Sequence, residues 1–409
     1  MDPNEKIGAA GFGPQAFISG EEIIPYQVRF ENLGPGTVPT PTHPATAPAQ
    51  RIEITDQLST NLDWSTFGFT EIGFGDFVVP VTGLPGYQFV SVPVSANGND
   101  FNVEVELTFD ATTGKVRIVF QALDPATLLP PEVLSGILPP EDGTGRGKGY
   151  VNYRVRPVTG LPTGTEIRNI ALIKFDGNAI IATNQINPED PAEGTDPARE
   201  ALNTIDRDAP TSQVSPLAAT QDSADIAVSW GGADGQGAGI ATYDIYVSDN
   251  GGPFVPWLIG TAATSGTFTG AYGHAYGFHS VATDRVGRTE SPPASADATV
   301  SIQNFANQVI VAGGIVQIGG TSGADTILVT PSGANLQVMI NGVVRSNTIP
   351  LSSITQVRVF GREANDTVTA TKLDVPLFIE GSTGTDQLVV NGQTVDSTYA
   401  LTTSSLTIN

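Results

Sequence analysis

"FNVEVELTFDATTGKVRIVFQAL", residues 101–123, carries apolar side chains at alternate positions on both sides of a Gly-containing turn. Period two places Phe101, Val103, Val105, Leu107 and Phe109 on one face, which predicts strands with one buried face. The same alternation recurs in "IPYQVRF" (24–30), "RIEITDQL" (51–58), "YVNYRVRP" (150–157) and "RNIALIKF" (168–175). Runs of this kind separated by Gly/Pro turns imply a β-sandwich over residues 1–207. "TVPTPTHPATAPAQ" (37–50) reads as an extended loop within it, and "DPAREALNTI", opening at Asp196, as a helix that hinges into the next region.

A second sandwich follows over 208–302. Its strands are "ADIAVSW" (224–230), "ATYDIYVSDNGGPF" (241–254), with DNGG as a hairpin turn, and "AYGFHSVATD" (275–284). From 303 to 409 the pattern changes to a repeat. "VFGREANDTV" (359–368) aligns with "IEGSTGTDQL" (379–388), so that Gly361 falls on Gly381, Asp366 on Asp386 and Val368 on Leu388. An earlier copy, "IGGTSGADTI" (318–327), holds Gly320 and Asp325 in the same relation. A fixed period of this size marks a solenoid. The fold class is therefore all-β, two tandem Ig-like β-sandwiches followed by a short β-solenoid-like region. The stack stops about one repeat after its last copy, which suggests a piece of a longer protein.

Composition narrows the function. With 46 Gly, 30 Pro and only 15% charged residues, turns are many and long exposed helices few. The net charge of -23 repels nucleic acid phosphates and anionic membrane surfaces. That acidity is spread, with 13 basic against 26 acidic residues in 1–207, 2 against 9 in 208–302, and 4 against 7 in 303–409. No cysteine is present, so disulfides, thiolate metal sites and thiol nucleophiles are absent. No apolar stretch is long enough to span a bilayer, and "MDPNEKIGAAG" lacks the apolar core of a signal peptide.

Several words resemble known families. "DPNEKIG" (2–8), "IPYQVRFEN" (24–32), "APAQRIEITDQLSTNLDWSTF" (47–67) and "GLPTGTEIRNIALIKFDGNAIIATN" (160–184) resemble a DUF11-related domain of large surface and secreted proteins of Bacteroidetes and planctomycetes. The resemblance implies an Ig-like sandwich, often near a C-terminal sorting segment, and carries no catalytic residues. Gly177 stands where the Bacteroidetes pattern is aromatic, which favours the planctomycete-like branch. The second region is similar to fibronectin type III modules, with Trp230 as the core tryptophan and "YGFHSVATD" (276–284) as the tyrosine-bearing late strand. The third resembles degenerate haemolysin-type calcium repeats, whose GGxGxDxUx motif is only partly kept.

The candidate sites follow from these readings. Asp325, Asp366 and Asp386 precede strands where stacked turns would converge carboxylates, as calcium requires. An Asx turn to backbone N–H groups accounts for the same positions without a ligand. Asp2 and Asn4 at one end of the first sandwich, with Asp176 and Asn178 at the other, form a second calcium candidate if first and last strands meet. Turn formation again explains those letters. Lys6 could be joined to Asn169 or Asn184 by an isopeptide bond promoted by Asp56, although its Gly-rich surroundings predict an exposed Lys6. "GTGRGKG" (143–149) lacks the Ser/Thr and following helix of a phosphate loop. His43, His274 and His279 do not form a metal set, and no nucleophile signature is present. Trp64 and Trp257 would offer a sugar-stacking platform if exposed, and core packing if not.

The expected function is a non-catalytic spacer, structural or adhesin module of a large extracellular, cell-surface bacterial protein, stabilised by calcium. A polysaccharide-binding module and a self-assembling filament or surface-layer block are the alternatives. Its partners would be other segments of the same protein, cell-surface polysaccharide or another copy of itself, without nucleic acid or membrane insertion.

Overall fold

The computed structural model describes residues 4–38, 40–82, 86–96, 98–371, 373–381, 383–392 and 406–408. The protein is all-β, built from two β-sandwiches and a β-solenoid-like region. The chain falls into two compact units, one formed by 1–210, 234–240 and 283–289, the other by 211–233, 241–282 and 290–409. Among the described residues no helix is long and apolar enough to cross a membrane.

In the first unit a five-stranded sheet runs Glu5–Ile7, Ile24–Glu31, Lys148–Pro157, Leu62–Phe74, Phe77–Pro80. A six-stranded sheet runs Ile180–Ala182, Ala171–Phe175, Arg51–Gln57, Lys115–Leu123, Asn99–Asp110, Tyr87–Ala96. Register follows the alternation in sequence. Val105 lies opposite Phe120, Ile54 opposite Ile118 and Val28 opposite Val151, all fully buried. These inward positions form one core, the area removed from water being the main favourable term.

"DPAREALNTI" is not a helix. Pro191–Glu193 and Pro197–Arg199 are single 3-10 turns, capped by the Asp190 and Asp196 side chains at the backbone N–H groups of Ala192 and Ala198. Ala201–Ile205 then forms a strand, because Ala201, Asn203, Thr204 and Ile205 are buried where they pair with Glu166–Asn169 and with Phe17–Ile18. Nor is 168–175 one strand. The chain changes sheets at Ile170, so Asn169 ends a strand of the small sheet and Ala171 begins one beside Arg51–Gln57. Glu5–Ile7 and Ala171–Phe175 consequently lie in opposite sheets rather than side by side.

The second unit holds a three-stranded sheet, Thr211–Val214, Asp225–Ala233, Ser265–Thr269, and a five-stranded one, Thr220–Gln221, Ala298–Ile302, Ala275–Asp284, Ile240–Asp249, Val255–Thr261. Trp230 and Phe278 are buried between them. The solenoid-like region stacks two parallel ladders. Ile315–Gly319, Gln356–Phe360 and Leu377–Glu380 form one; Thr326–Ser332, Thr367–Thr371, Gln387–Asn391 and Leu406–Ile408 form the other. Ile327, Val368 and Leu388 share one register position. The hairpin Asn335–Ile340 with Val343–Pro350 is inserted into the first coil, which is why 41 residues separate the first two copies and 20 the next.

Sandwich and solenoid form one body in this unit. Phe305 and Phe360 are buried with ring centroids 5.0 Å apart, and Tyr272 lies 6.2 Å from Phe305. Asp222 accepts from the Arg358 guanidinium at 3.0 Å, and Glu380 from the Ala224 N–H at 3.1 Å.

Candidate functional site

The solenoid aspartates form a ladder. Asp366 Oδ1 accepts from the backbone N–H of Asp325, and Asp386 Oδ1 from that of Asp366, both at 2.8 Å. Asp325 accepts from the Thr321 and Asn341 side chains as well as the Thr321 N–H. Each carboxylate also folds back over the glycine five residues earlier. A Cβ on Gly320, Gly361 or Gly381 would fall 2.6, 2.3 or 2.0 Å from the carboxylate Oδ2 of Asp325, Asp366 or Asp386. The Gly-x4-Asp spacing of the repeat is thus one steric unit, an open Cα beneath a carboxylate, which at Asp366 and Asp386 also binds the neighbouring coil. Burial, with the nearby carboxylates of Asp386 and Asp325, pushes the Asp366 carboxyl up to about 7.

The other sequence candidates are placed individually. Asp2 lies outside the described residues. Asn4 is buried, its Oδ1 accepting from the Glu31 N–H at 3.3 Å. Asp176, at φ +48°, accepts from the N–H groups of Gln50 and Arg51 at 3.1 and 2.8 Å, and the Asn178 N–H donates to the Phe175 carbonyl at 2.9 Å. Trp64 donates from its indole to the Ser59 carbonyl at 3.0 Å. Trp257 meets Trp230 and Phe268 edge-on at 6.0 and 5.5 Å, a packed aromatic cluster of its own sandwich. The two tryptophans belong to different units. "GTGRGKG" wraps an internal anion: Gly143, Gly145 and Gly147 N–H groups donate to the buried Glu141 carboxylate at 2.7, 2.9 and 2.9 Å.

The most unusual chemistry lies where the sequence places an exposed residue. Lys6 is buried, because the short edge strand Glu5–Ile7 points it between the two sheets, opposite to Glu5 and Ile7. Its Nζ donates to Asp56 Oδ2 at 2.5 Å, with both side chains wholly inaccessible. Tyr153 donates its hydroxyl to the same oxygen. The ammonium sits 4.4 Å above the Tyr26 ring and 5.4 Å from that of Tyr153. Burial outweighs the Asp56 charge and brings the Lys6 amine down to about 8, so a free-base fraction exists near neutral pH. The Tyr26 and Tyr153 hydroxyls are held well above their usual range, first by burial and then by the Asp56 charge.

Asn169 is buried two residues before Ala171, which lies opposite Asp56, with the change of sheet at Ile170 between them. Its Nδ2, the second oxygen of Asp56 and the Tyr26 hydroxyl are buried without hydrogen-bond partners among the described residues. Asn184 instead donates to Glu200 at 3.2 Å. The sequence signal for this cluster was the alternation of "RIEITDQL", which puts Asp56 on the face of Ile52 and Ile54.

Residues 136–189 match a family described as "Domain of unknown function (DUF7619)". A search among curated proteins finds no significant match. Among solved structures, the collagen adhesin of S. aureus is similar at 12% identity over 50% of this chain and 49% of that one, with a TM-score of 0.24. The chain thus spans about half the length of that adhesin. The C-terminal domain of the Streptococcus pyogenes antigen I/II-family protein AspA is similar at 10% identity over 73% and 100%, TM-score 0.30. BcpA, the major pilin subunit of Bacillus cereus, is similar at 13% over 71% and 62%, TM-score 0.23. These neighbours are adhesin, pilin and surface-protein structures, and at such identities and scores they assign no activity.

Proposed function

We propose that this chain is a non-catalytic structural module, a spacer or adhesin stalk of an extracellular bacterial surface protein, whose first sandwich is closed by a bond it makes itself. The observation that carries the reading is the Lys6–Asp56 pair. A catalytic or binding group must be reachable, whereas this charged cluster is sealed between two sheets and its only work is to hold them. The DUF11-related kinship belongs to the same proposal, and its words at 160–184 fall within the family match.

A bare ion pair is a weak reason to bury two charges, since desolvation offsets most of the attraction. The arrangement has a covalent outcome. Lys6 passes one proton to Asp56, and the free amine attacks the side-chain carbonyl carbon of Asn169. As the new C–N bond forms, the second amine proton moves to Nδ2 and the old C–N bond breaks. Ammonia leaves, Asp56 keeps the first proton, and an amide joins residues 6 and 169 across the core. No oxidant or cofactor is needed.

Intact mass spectrometry tests this, with the linked peptides sequenced after digestion. The protein is expected one ammonia lighter than its sequence, and Asn169→Ala to have its full sequence mass. A full mass in the wild type overturns the bond. A loss of water instead, with Asp56 as the acyl partner, overturns the role of Asn169.

A further inference from the structure

Three acidic residues that the sequence separates widely meet within the first unit. Asp206 follows the strand Ala201–Ile205, Asp234 opens the loop 234–240, and Asp284 closes the strand Ala275–Asp284. Each offers a carboxylate oxygen, and the three oxygens lie within 4.8 Å of one another. Asp206 and Asp284 are 0% and 2% exposed. One oxygen of each carboxylate is fixed by backbone. The Ala238 N–H donates to Asp206 Oδ2 and the Gly239 N–H to Asp234 Oδ2, both at 2.7 Å. The Val286 and Arg288 N–H groups donate to Asp284 Oδ1 at 2.9 and 2.8 Å. The opposite oxygens, Asp206 Oδ1, Asp234 Oδ1 and Asp284 Oδ2, are all buried without a partner among the described residues.

One cation at the centre satisfies all three carboxylates at once. Backbone donors orient three carboxylates, each keeps one buried oxygen without a partner among the described residues, and one oxygen from each lies within 4.8 Å of the others. Three like charges cannot share a buried site without compensation. The loop is shaped to it: a Cβ on Gly237 would stand 2.5 Å from Asp234 Oδ2 and 2.6 Å from Asp206 Oδ1. We infer that Asp206, Asp234 and Asp284 bind one calcium ion, which ties the loops 234–240 and 283–289 to the end of the first sandwich. Calcium binds oxygen at roughly 2.3–2.6 Å, so ligands around one ion lie up to about 5 Å apart, as these do. The donors are all hard oxygens, which excludes the softer transition metals as preferred occupants. These are not the residues that the repeat motif singles out; the only sequence signal was turn glycine near Asp234 in "GADGQG" and Asp284 in "ATDRVG", while Asp206 in "IDRDAP" has none beside it.

The test is thermal unfolding of the full chain, stripped with chelator and then titrated with calcium chloride. Wild type should gain several degrees in the transition of the first unit, since a ligand held only by the folded state stabilises it. Asp234→Asn should lose that gain. It should also unfold at a higher temperature than wild type in chelator, because one of three mutually repelling carboxylates is gone. Asp366→Asn, in the solenoid ladder, should keep the gain. The inference fails if wild type does not respond to calcium, if Asp234→Asn responds fully, or if Asp366→Asn alone abolishes the response. None of these outcomes bears on the ammonia loss at Lys6, so the two proposals fail separately.

Discussion

At the scale of the residue, the repeat is decided by what fits beside a carboxylate. Gly361 is glycine because the Asp366 carboxylate occupies the place of its side chain. Gly361→Ala should destabilise the second unit by about 1–3 kcal/mol, the usual effect of overpacking, read as a lower urea midpoint for that unit. Asp366 also gives the unit a pH dependence. Its carboxyl is raised to about 7 in the fold and returns to the ordinary carboxylate range when unfolded, so the native state holds the extra proton between those values. Stability should therefore be highest below the unfolded value and fall as pH rises toward about 7, then level off. Asp366→Asn should flatten that slope. The Gly-x4-Asp spacing was legible in the sequence, but the ladder was not, because Asp366 and Asp386 each find their partner in a backbone N–H one coil away.

At the scale of the element, alternation gave the strands and hid their partners. "KVRIVFQAL" reads as a strand and is one, whereas "ALNTI" was lost behind Asp196 and Pro197, whose signals start a single turn as readily as a helix. Lys6 shows the same limit. Gly and Ala around it read as exposed, yet pairing of Lys6 with Val28 in the edge strand sets its inward direction. The inserted hairpin is a case where spacing alone misleads. It could be taken for a peripheral excursion, but Leu336, Val338, Ile340 and Ile349 are buried in the solenoid core. Leu336→Ala should cost about 2–5 kcal/mol in urea unfolding of the second unit. A change within about 0.5 kcal/mol, the level of a surface substitution, would show the hairpin to be accessory.

At the scale of the whole molecule, two compact units and a spread negative charge suit a module that stays soluble and keeps its shape. Its polar chemistry is turned inward, to Lys6 and Asp56 between sheets and to three aspartates at loop ends. A bond from residue 6 to residue 169 would shield the chain between them from force applied at the termini. Single-molecule pulling through the ends of the full chain measures this directly. Complete unfolding of the wild type is expected to fall short of the full contour length by the segment 7–168, roughly 600 Å, and Asn169→Ala to recover it. Release of that length by the wild type would contradict the claim that the first sandwich is covalently closed.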